Sequence, residues 1–294
     1  MRAEKPTTWH LGIIGGSGLA AGIELEDAQE IEVASPFGEP SGPVTTGRLD
    51  DVRVTFIARH GRGHRIGPSH VNYRANIDVL KRCGVTDVLA ISAIGSLRED
   101  MAPGHVVVID QLVDRTQGRE NSFFGNGLVA HVGLADPVCP RLAALTVSAA
   151  QRAGGTVHKE GCYVAIEGPQ FSCRAESRLY REWGADVIGM TAMPEARLAR
   201  EAELPYALLG MVTDYDSWRE GEAGVEASQI IETMTANAAV ARGAVRILAQ
   251  SLPQIREPSP IDFALDHAIV TDGDAIDSTV RAKLDAVCGR IFSR

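Results

Sequence analysis

Aromatic residues are scarce in this 294-residue chain, at 5% (seven Phe, five Tyr, three Trp), too few to interleave a nucleic-acid-binding surface. Cysteine is scarcer still. The five present (Cys83, Cys139, Cys162, Cys173, Cys288) are odd in number, scattered and without CxxC spacing, which excludes a disulfide framework and a structural zinc site and fits a reducing compartment. No apolar run approaches the ~18–20 residues of a membrane span. The start, Met1-Arg2-Ala3-Glu4-Lys5-Pro6, lacks the apolar region of a secretory signal, so a cytoplasmic location is expected. Basic residues are in deficit, 29 Lys and Arg against 38 Asp and Glu, a net charge of -9 that argues against general affinity for nucleic acid or anionic membrane. Any anion must therefore meet a local basic site. Internal repeats and low-complexity tracts are also missing. What remains is ordinary globular composition, 45% hydrophobic and 23% charged, with glycine enriched to 30 residues, so tight turns and close backbone approaches should be common.

The apolar residues fall in short continuous runs: Leu11–Ile14, Val54–Ala58, Val85–Ser92, Val106–Ile109, Tyr163–Ile166, Val187–Met190 and Tyr206–Val212. Unbroken rather than alternating runs predict strands buried on both faces. Between them lie helical patterns. Val71–Cys83 places Ile77, Leu80 and Cys83 on one face, Arg174–Trp183 places Ala175, Leu179 and Trp183 at i, i+4, i+8, and Ala227–Leu252 runs up to Pro253. Strands alternating with helices predict an α/β fold, a mixed central sheet flanked by helices on both faces. The chain is read as one domain with its core over about 9–252. After the linker Glu257-Pro258-Ser259-Pro260, residues of about 258–294 form an extension too small for its own core, with two short helices around Phe263–Ala268 and Val280–Val287 packed on the main body. In open sheets of this kind ligands bind beyond the carboxyl ends of strands, which directs attention to the residues after each run.

Gly15-Gly16-Ser17-Gly18 follows the first strand and is either a phosphate cradle or a plain tight turn. Its spacing fits neither dinucleotide nor P-loop fingerprints, which disfavours a nicotinamide-dependent oxidoreductase. Arg59-His60-Gly61-Arg62-Gly63-His64-Arg65 concentrates five basic or imidazole side chains in seven residues of an acidic protein. That suggests an oxyanion site, Arg gripping bidentately and His donating one more hydrogen bond, against the alternative of a solvated loop. Ser92-Ala93-Ile94-Gly95-Ser96 offers hydroxyls after another strand, for a phosphate, a sugar or a cap. Phe171, in Glu167-Gly168-Pro169-Gln170-Phe171, either stacks on a ring or fills the core. Thr213-Asp214-Tyr215-Asp216 is the most telling segment, since two carboxylates straight after a long apolar strand need a reason. One, half-buried and raised in pKa, would serve as general acid while the other accepts a hydrogen bond; two Asx turns are the bland reading. No third ligand stands at metal-binding spacing.

Taken in order, Gly15-Gly16-Ser17-Gly18-Leu19, Arg59-His60-Gly61-Arg62, Pro68-Ser69 to Asn76, Gly95-Ser96-Leu97-Arg98, Asp110-Gln111 with Asp114-Arg115-Thr116, Ile166-Glu167-Gly168-Pro169, Gly184-Ala185-Asp186-Val187 with Met190-Thr191, and Thr213-Asp214-Tyr215-Asp216 resemble the purine nucleoside phosphorylase and S-methyl-5'-thioadenosine phosphorylase family of trimeric type, over residues of about 11–250. The resemblance implies phosphorolysis of a purine nucleoside with a modified 5' carbon, with no metal or organic cofactor and with inorganic phosphate as co-substrate. It implies a phosphate site of Ser17, Arg59, His60, Ser92, Ala93 and Thr191. It places Met190 under the ribose, its backbone N–H reaching a sugar hydroxyl, and Phe171 on the base. Asp214 and Asp216 would be the base-recognition pair, Asp214 at N7 and ionised Asp216 at the 6-amino group. His131 would reach the neighbouring subunit's site in a homotrimer, and Ala227, Ile230 and Ile231 would wall the 5' pocket. Ala227 is smaller than its usual counterpart, and Gly189 stands where Asn is common.

Asp at both base positions favours adenine over a 6-oxopurine, because members that bind the latter carry an amide donor where Asp214 stands. The expected substrate is therefore S-methyl-5'-thioadenosine or a close 5'-substituted relative. A 5'-halo or 6-oxopurine nucleoside phosphorylase is the alternative within enzymes, and a nucleoside-binding protein without turnover the alternative outside them.

Overall fold

The seven apolar runs are all strands, and each is buried on both faces by helices. A computed structural model of the chain describes residues 8–16, 23–219 and 227–293, apart from the side chains at 227–230, 232 and 236. Its strands are β1 (His10–Gly15), β2 (Glu26–Ile31), β3 (Val44–Leu49), β4 (Val52–Ala58), β5 (Asp87–Ser96), β6 (Val106–Ile109), β7 (Gln111–Arg115), β8 (Val157–His158), β9 (Cys162–Ile166), β10 (Val187–Gly189) and β11 (Tyr206–Tyr215), joined in one mixed sheet. The helices are α1 (Tyr73–Arg82), α2 (Pro140–Arg152), α3 (Arg174–Glu182), α4 (Ala192–Glu201), α5 (Ala227–Ser251), α6 (Ser278–Lys283) and α7 (Asp285–Phe292). The extra strands are polar or short: β2 is an exposed edge strand, and its lack of apolar alternation left no sequence signal.

Along β5 the side chains alternate between two cores. Val88, Ala90 and Ile94 join a cluster with Ile77 and Leu80 of α1 and Ala196 and Ala199 of α4, while Leu89 and Ile91 join Leu142 of α2 and Val245 and Leu248 of α5. The two-faced burial explains why the run is continuous rather than alternating.

The sheet forks at β5. On one edge β1 pairs with it in parallel only as far as Ile14 opposite Ala90, and β10 takes over, antiparallel, at Gly95 and Ser96. On the other edge β11 runs parallel from Val88 to Ser96, with a register shift between Val212 and Asp214. Residues 91–94 lie between the two partners, and a crevice at such a change of strand direction is where this class of sheet binds ligands.

Three expectations need correction. Ser92–Ser96 is not a loop after the strand but its second half, because small residues continue the extended backbone where the apolar run stops. The buried face of α3 is Ser177 and Tyr180, not Ala175, Leu179 and Trp183; Tyr180 joins Leu97, Val164 and Ile188, leaving Leu179 43% and Trp183 47% exposed. In the extension, the first expected helix is only a single 3-10 turn, Pro260–Phe263, capped by Ser259, while Val280–Val287 is helical as expected but broken into α6 and α7.

The extension is nevertheless tied down. Arg256, 1% exposed, bridges Asp87 at the start of β5 to Asp262, and Arg290 of α7 pairs with Glu203, while Leu265, Val287 and Cys288 enter the core shared with α1 and α4. No helix among the described residues is long and apolar enough to cross a membrane.

Candidate active site

Three strand ends and the middle of β5 converge on the fork. Gly15 ends β1, Arg59 follows β4, Ser92 and Ala93 lie in the gap of β5, and Thr191 follows β10 at the start of α4. Their contacts join them into one patch: the Arg59 N–H donates to the Gly15 carbonyl at 2.9 Å, the Arg59 Nη1 to the Ile91 carbonyl at 3.1 Å, and the Ser92 and Thr191 hydroxyls stand 3.2 Å apart. Ser17 lies outside the described residues.

Arg59 is not a free cation. It is 2% exposed and bound bidentately by Glu195 of α4, with Nε to Oε2 at 2.8 Å and Nη2 to Oε1 at 3.0 Å, and Tyr206 donates to the same carboxylate at 2.9 Å. Burial alone would push the guanidinium down; the adjacent carboxylate more than reverses this and keeps it protonated. Arg59 has further N–H groups to offer an anion, but the fork as built is closer to neutral than the basic run in the sequence implies.

His60 Nδ1 faces the Ile66 carbonyl at 2.8 Å. A carbonyl only accepts, so Nδ1 carries the proton, and burial together with the Arg59 charge pushes the ring down to about 4, leaving it neutral. Nε2 is then an acceptor. The donor role expected for His60 requires a second proton, which an approaching dianion would favour; the neutral ring offers Nε2 only as an acceptor.

Asp214 and Asp216 close the other end of the site, where β11 meets β5. Asp214 Oδ1 accepts from the Thr213 hydroxyl at 2.6 Å, and its Oδ2 lies over Gly95, where an added Cβ would come within 3.0 Å. Burial, with a smaller contribution from Asp216, pushes Asp214 up to about 6. Asp216 is fixed by its N–H to the Ser96 carbonyl at 3.0 Å; burial pushes its carboxyl up as well, partly offset by the Ser177 hydroxyl and the Ser217 N–H that bear on it, and Oδ2 has no well-formed hydrogen bond among the described residues. An unpaired buried acceptor is costly unless something donates to it.

Between the two ends lie Met190 and the 167–171 turn. Gly168 has φ +68°, and a Cβ there would come within 2.5 Å of the Met190 sulfur, so the close approach of turn and methionine requires glycine. Arg119, 2% exposed at its side chain, ties both pieces by donating to the Met190 carbonyl at 2.7 Å and the Glu167 carbonyl at 2.7 Å. Phe171 is 40% exposed, which removes core burial as its role.

Other expected residues are not drawn together within one chain. His131 is exposed, its backbone N–H donating to Ala268 of the extension at 2.8 Å, and no described contact joins it to Thr191 or Asp214. Ile231 projects from α5, 66% exposed, and the Ala227 and Ile230 side chains lie outside the described residues. Among the described residues no group of three or more His, Cys, Asp or Glu could hold a metal ion.

Glu195, Arg119 and Tyr163 shape the site without having been singled out in the sequence. Each is buried, and its partners are far along the chain, so spacing carried no signal.

Known proteins share this fold and much of this sequence. Residues 10–250 match the model of the phosphorylase superfamily. The chain is 54% identical over 284 residues to S-methyl-5'-thioadenosine phosphorylase of Cereibacter sphaeroides, covering 96% of this chain and 98% of that one, and 49% identical over 280 residues to the protein of the same name from Geobacter sulfurreducens, covering 95% and 98%. Among solved structures it superposes with a TM-score of 0.88 on a methylthioadenosine phosphorylase from an antarctic soil metagenomic library, at 42% identity over 96% of this chain and 99% of that one. It superposes with a TM-score of 0.78 on a mutant adenosine/methylthioadenosine phosphorylase from Schistosoma mansoni in complex with methylthioadenosine, at 34% identity over 96% and 98%. The chain belongs to the phosphorylase superfamily.

Proposed function

We propose that the protein is a pentosyltransferase that cleaves the N-glycosidic bond of S-methyl-5'-thioadenosine with inorganic phosphate, releasing adenine and 5-methylthioribose 1-phosphate. The observation that carries this reading is the placement of two unlike ends on one strand. Ser92, with Thr191 and Arg59, and Gly95, with Asp214 and Asp216, are three residues apart on β5, about 10 Å at ~3.3 Å per residue. A pentose fits between an anion at the first and a purine at the second. The relatives' shared name and the methylthioadenosine complex of the Schistosoma mansoni protein support the same substrate.

The reaction follows from the residues. As the C1'–N9 bond lengthens, its electron pair moves onto the purine, and a protonated Asp214 carboxyl donates to N7 so that neutral adenine leaves. A phosphate oxygen, held by Arg59, His60, Ser92, Ala93, Thr191 and Ser17, forms the new bond to C1' from the opposite face. Asp216 Oδ2 accepts from the 6-amino group. Positioning and charge placement supply most of the rate, with no metal or organic cofactor.

The working unit is a cytoplasmic homotrimer in which His131 reaches a neighbouring site and Ala227, Ile230 and Ile231 wall the 5' pocket. Two features support assembly: His131 is exposed with no described contact to the other residues assigned to the site, and α3 presents Leu179 and Trp183 outward. The test is adenine release from S-methyl-5'-thioadenosine, its inosine counterpart, a 5'-halo-5'-deoxyadenosine and adenosine, with and without phosphate. Phosphate-dependent release that is fastest from the methylthio substrate is expected. Nucleoside binding without base release would leave a binding protein as the better account.

A further inference from the structure

Glycine at 189 leaves room on one face of the sheet, and one side chain uses it. Tyr163 on β9 stands opposite Val187 of the neighbouring β10, and its ring runs along the sheet past Gly189. A Cβ at 189 would lie 2.2 Å from the Tyr163 hydroxyl oxygen and 2.7 Å from the ring carbon bearing it, so phenol and side chain exclude each other. The hydroxyl that emerges accepts the Thr191 N–H at 3.2 Å, and the Thr191 hydroxyl and the Ala192 N–H bear on the same oxygen. Thr191 Oγ1 in turn stands 3.2 Å from Ser92 Oγ. A chain of hydroxyls thus runs from the core to the fork.

We propose that Tyr163 is a positioning residue for the phosphate site: through the gap left by Gly189, its phenol fixes the backbone and hydroxyl of Thr191 and thereby the Ser92–Thr191 pair. This rests on the assignment of Thr191 to phosphate. Tyr163 is fully buried, and burial raises its phenol, so at neutral pH the group keeps its proton and acts as donor as well as acceptor. With the Thr191 amide occupied by Tyr163, the hydroxyl is what Thr191 offers the anion. Without the phenol, the threonine amide loses its partner and the rotamer that aims Oγ1 at Ser92 loses its anchor.

Tyr163→Phe keeps the ring and removes the oxygen. The expected result is a rise of about five- to tenfold in KM for phosphate, with a matching loss in the calorimetric Kd for inorganic phosphate, while KM for the nucleoside changes less than about twofold. Gly189→Ala reaches the same endpoint by displacing the phenol, and serves if the first variant folds poorly. A general packing defect would raise both KM values together, and unchanged phosphate affinity in a folded variant would overturn the proposal. Failure of the underlying reading looks different, since the unaltered protein would then release no adenine in phosphate.

Discussion

In the proposed reaction substrate choice turns on Asp214. A carboxyl raised to about 6 by burial is neutral often enough near pH 7 to donate to N7, and an amide at the same place donates to a 6-oxo group instead. Asp214→Asn should lower kcat/KM for the adenine nucleoside by about 10²–10³ and raise relative activity on the inosine counterpart at least about tenfold. Unchanged selectivity between the two bases would remove Asp214 from this role. The same substitution has a signature in stability. Because the folded-state value lies above the ordinary 3.8, burial costs nothing below about pH 3.8, costs progressively more up to about 6 and costs the full amount above it. The gain in melting temperature of Asp214→Asn over the parent should therefore be larger at pH 8 than at pH 5. The two aspartates were legible in the sequence because carboxylates at a core strand end are rare. Glu195 was not, since it lies 136 residues from Arg59 and only folding puts them within 3 Å.

At the scale of elements, the strands were legible and the surfaces of helices were less so. Continuous apolar runs identify strands buried twice, whatever packs on them. A helix with apolar residues at i, i+4, i+8 says only that some partner covers that face, and for α3 the sheet takes Ser177 and Tyr180 instead. The extension shows the same limit: its small core was readable, its anchor was not. Arg256 sits between Asp87 and Asp262, all three almost fully buried. Replacing one partner of such a group leaves uncompensated buried charge, at a cost of about 3–5 kcal/mol. Arg256→Met should lower the melting temperature by on the order of 10 °C, at roughly 2–4 °C per kcal/mol for a chain of this size. The kcat at 20 °C should be retained, since the anchor touches none of the residues assigned to substrate. A melting temperature within 2–3 °C of the parent, by differential scanning calorimetry, would show that the extension is held by its apolar contacts and the Arg290 pair without help from Arg256.

The whole molecule poses a conflict between charge and surface. Each chain carries a net charge of -9, so copies repel, yet the outer face of α3 leaves Leu179 and Trp183 exposed. Such an exposed apolar face is explained if a second copy covers it and brings its own His131 to the site. The protein should then sediment at about three times its 31.4 kDa chain mass. Assembly should tighten as salt rises, because screening removes repulsion and leaves apolar burial nearly untouched. Leu179→Glu places a charge in that contact and should yield monomers, lower the melting temperature in a concentration-dependent way and cost activity out of proportion to stability. His131→Ala should reproduce the loss of activity without dissociation. Sedimentation velocity on the three proteins separates these cases. A monomeric parent that is fully active would mean that His131 plays no part in the reaction and that the α3 stripe faces something other than a copy of this chain.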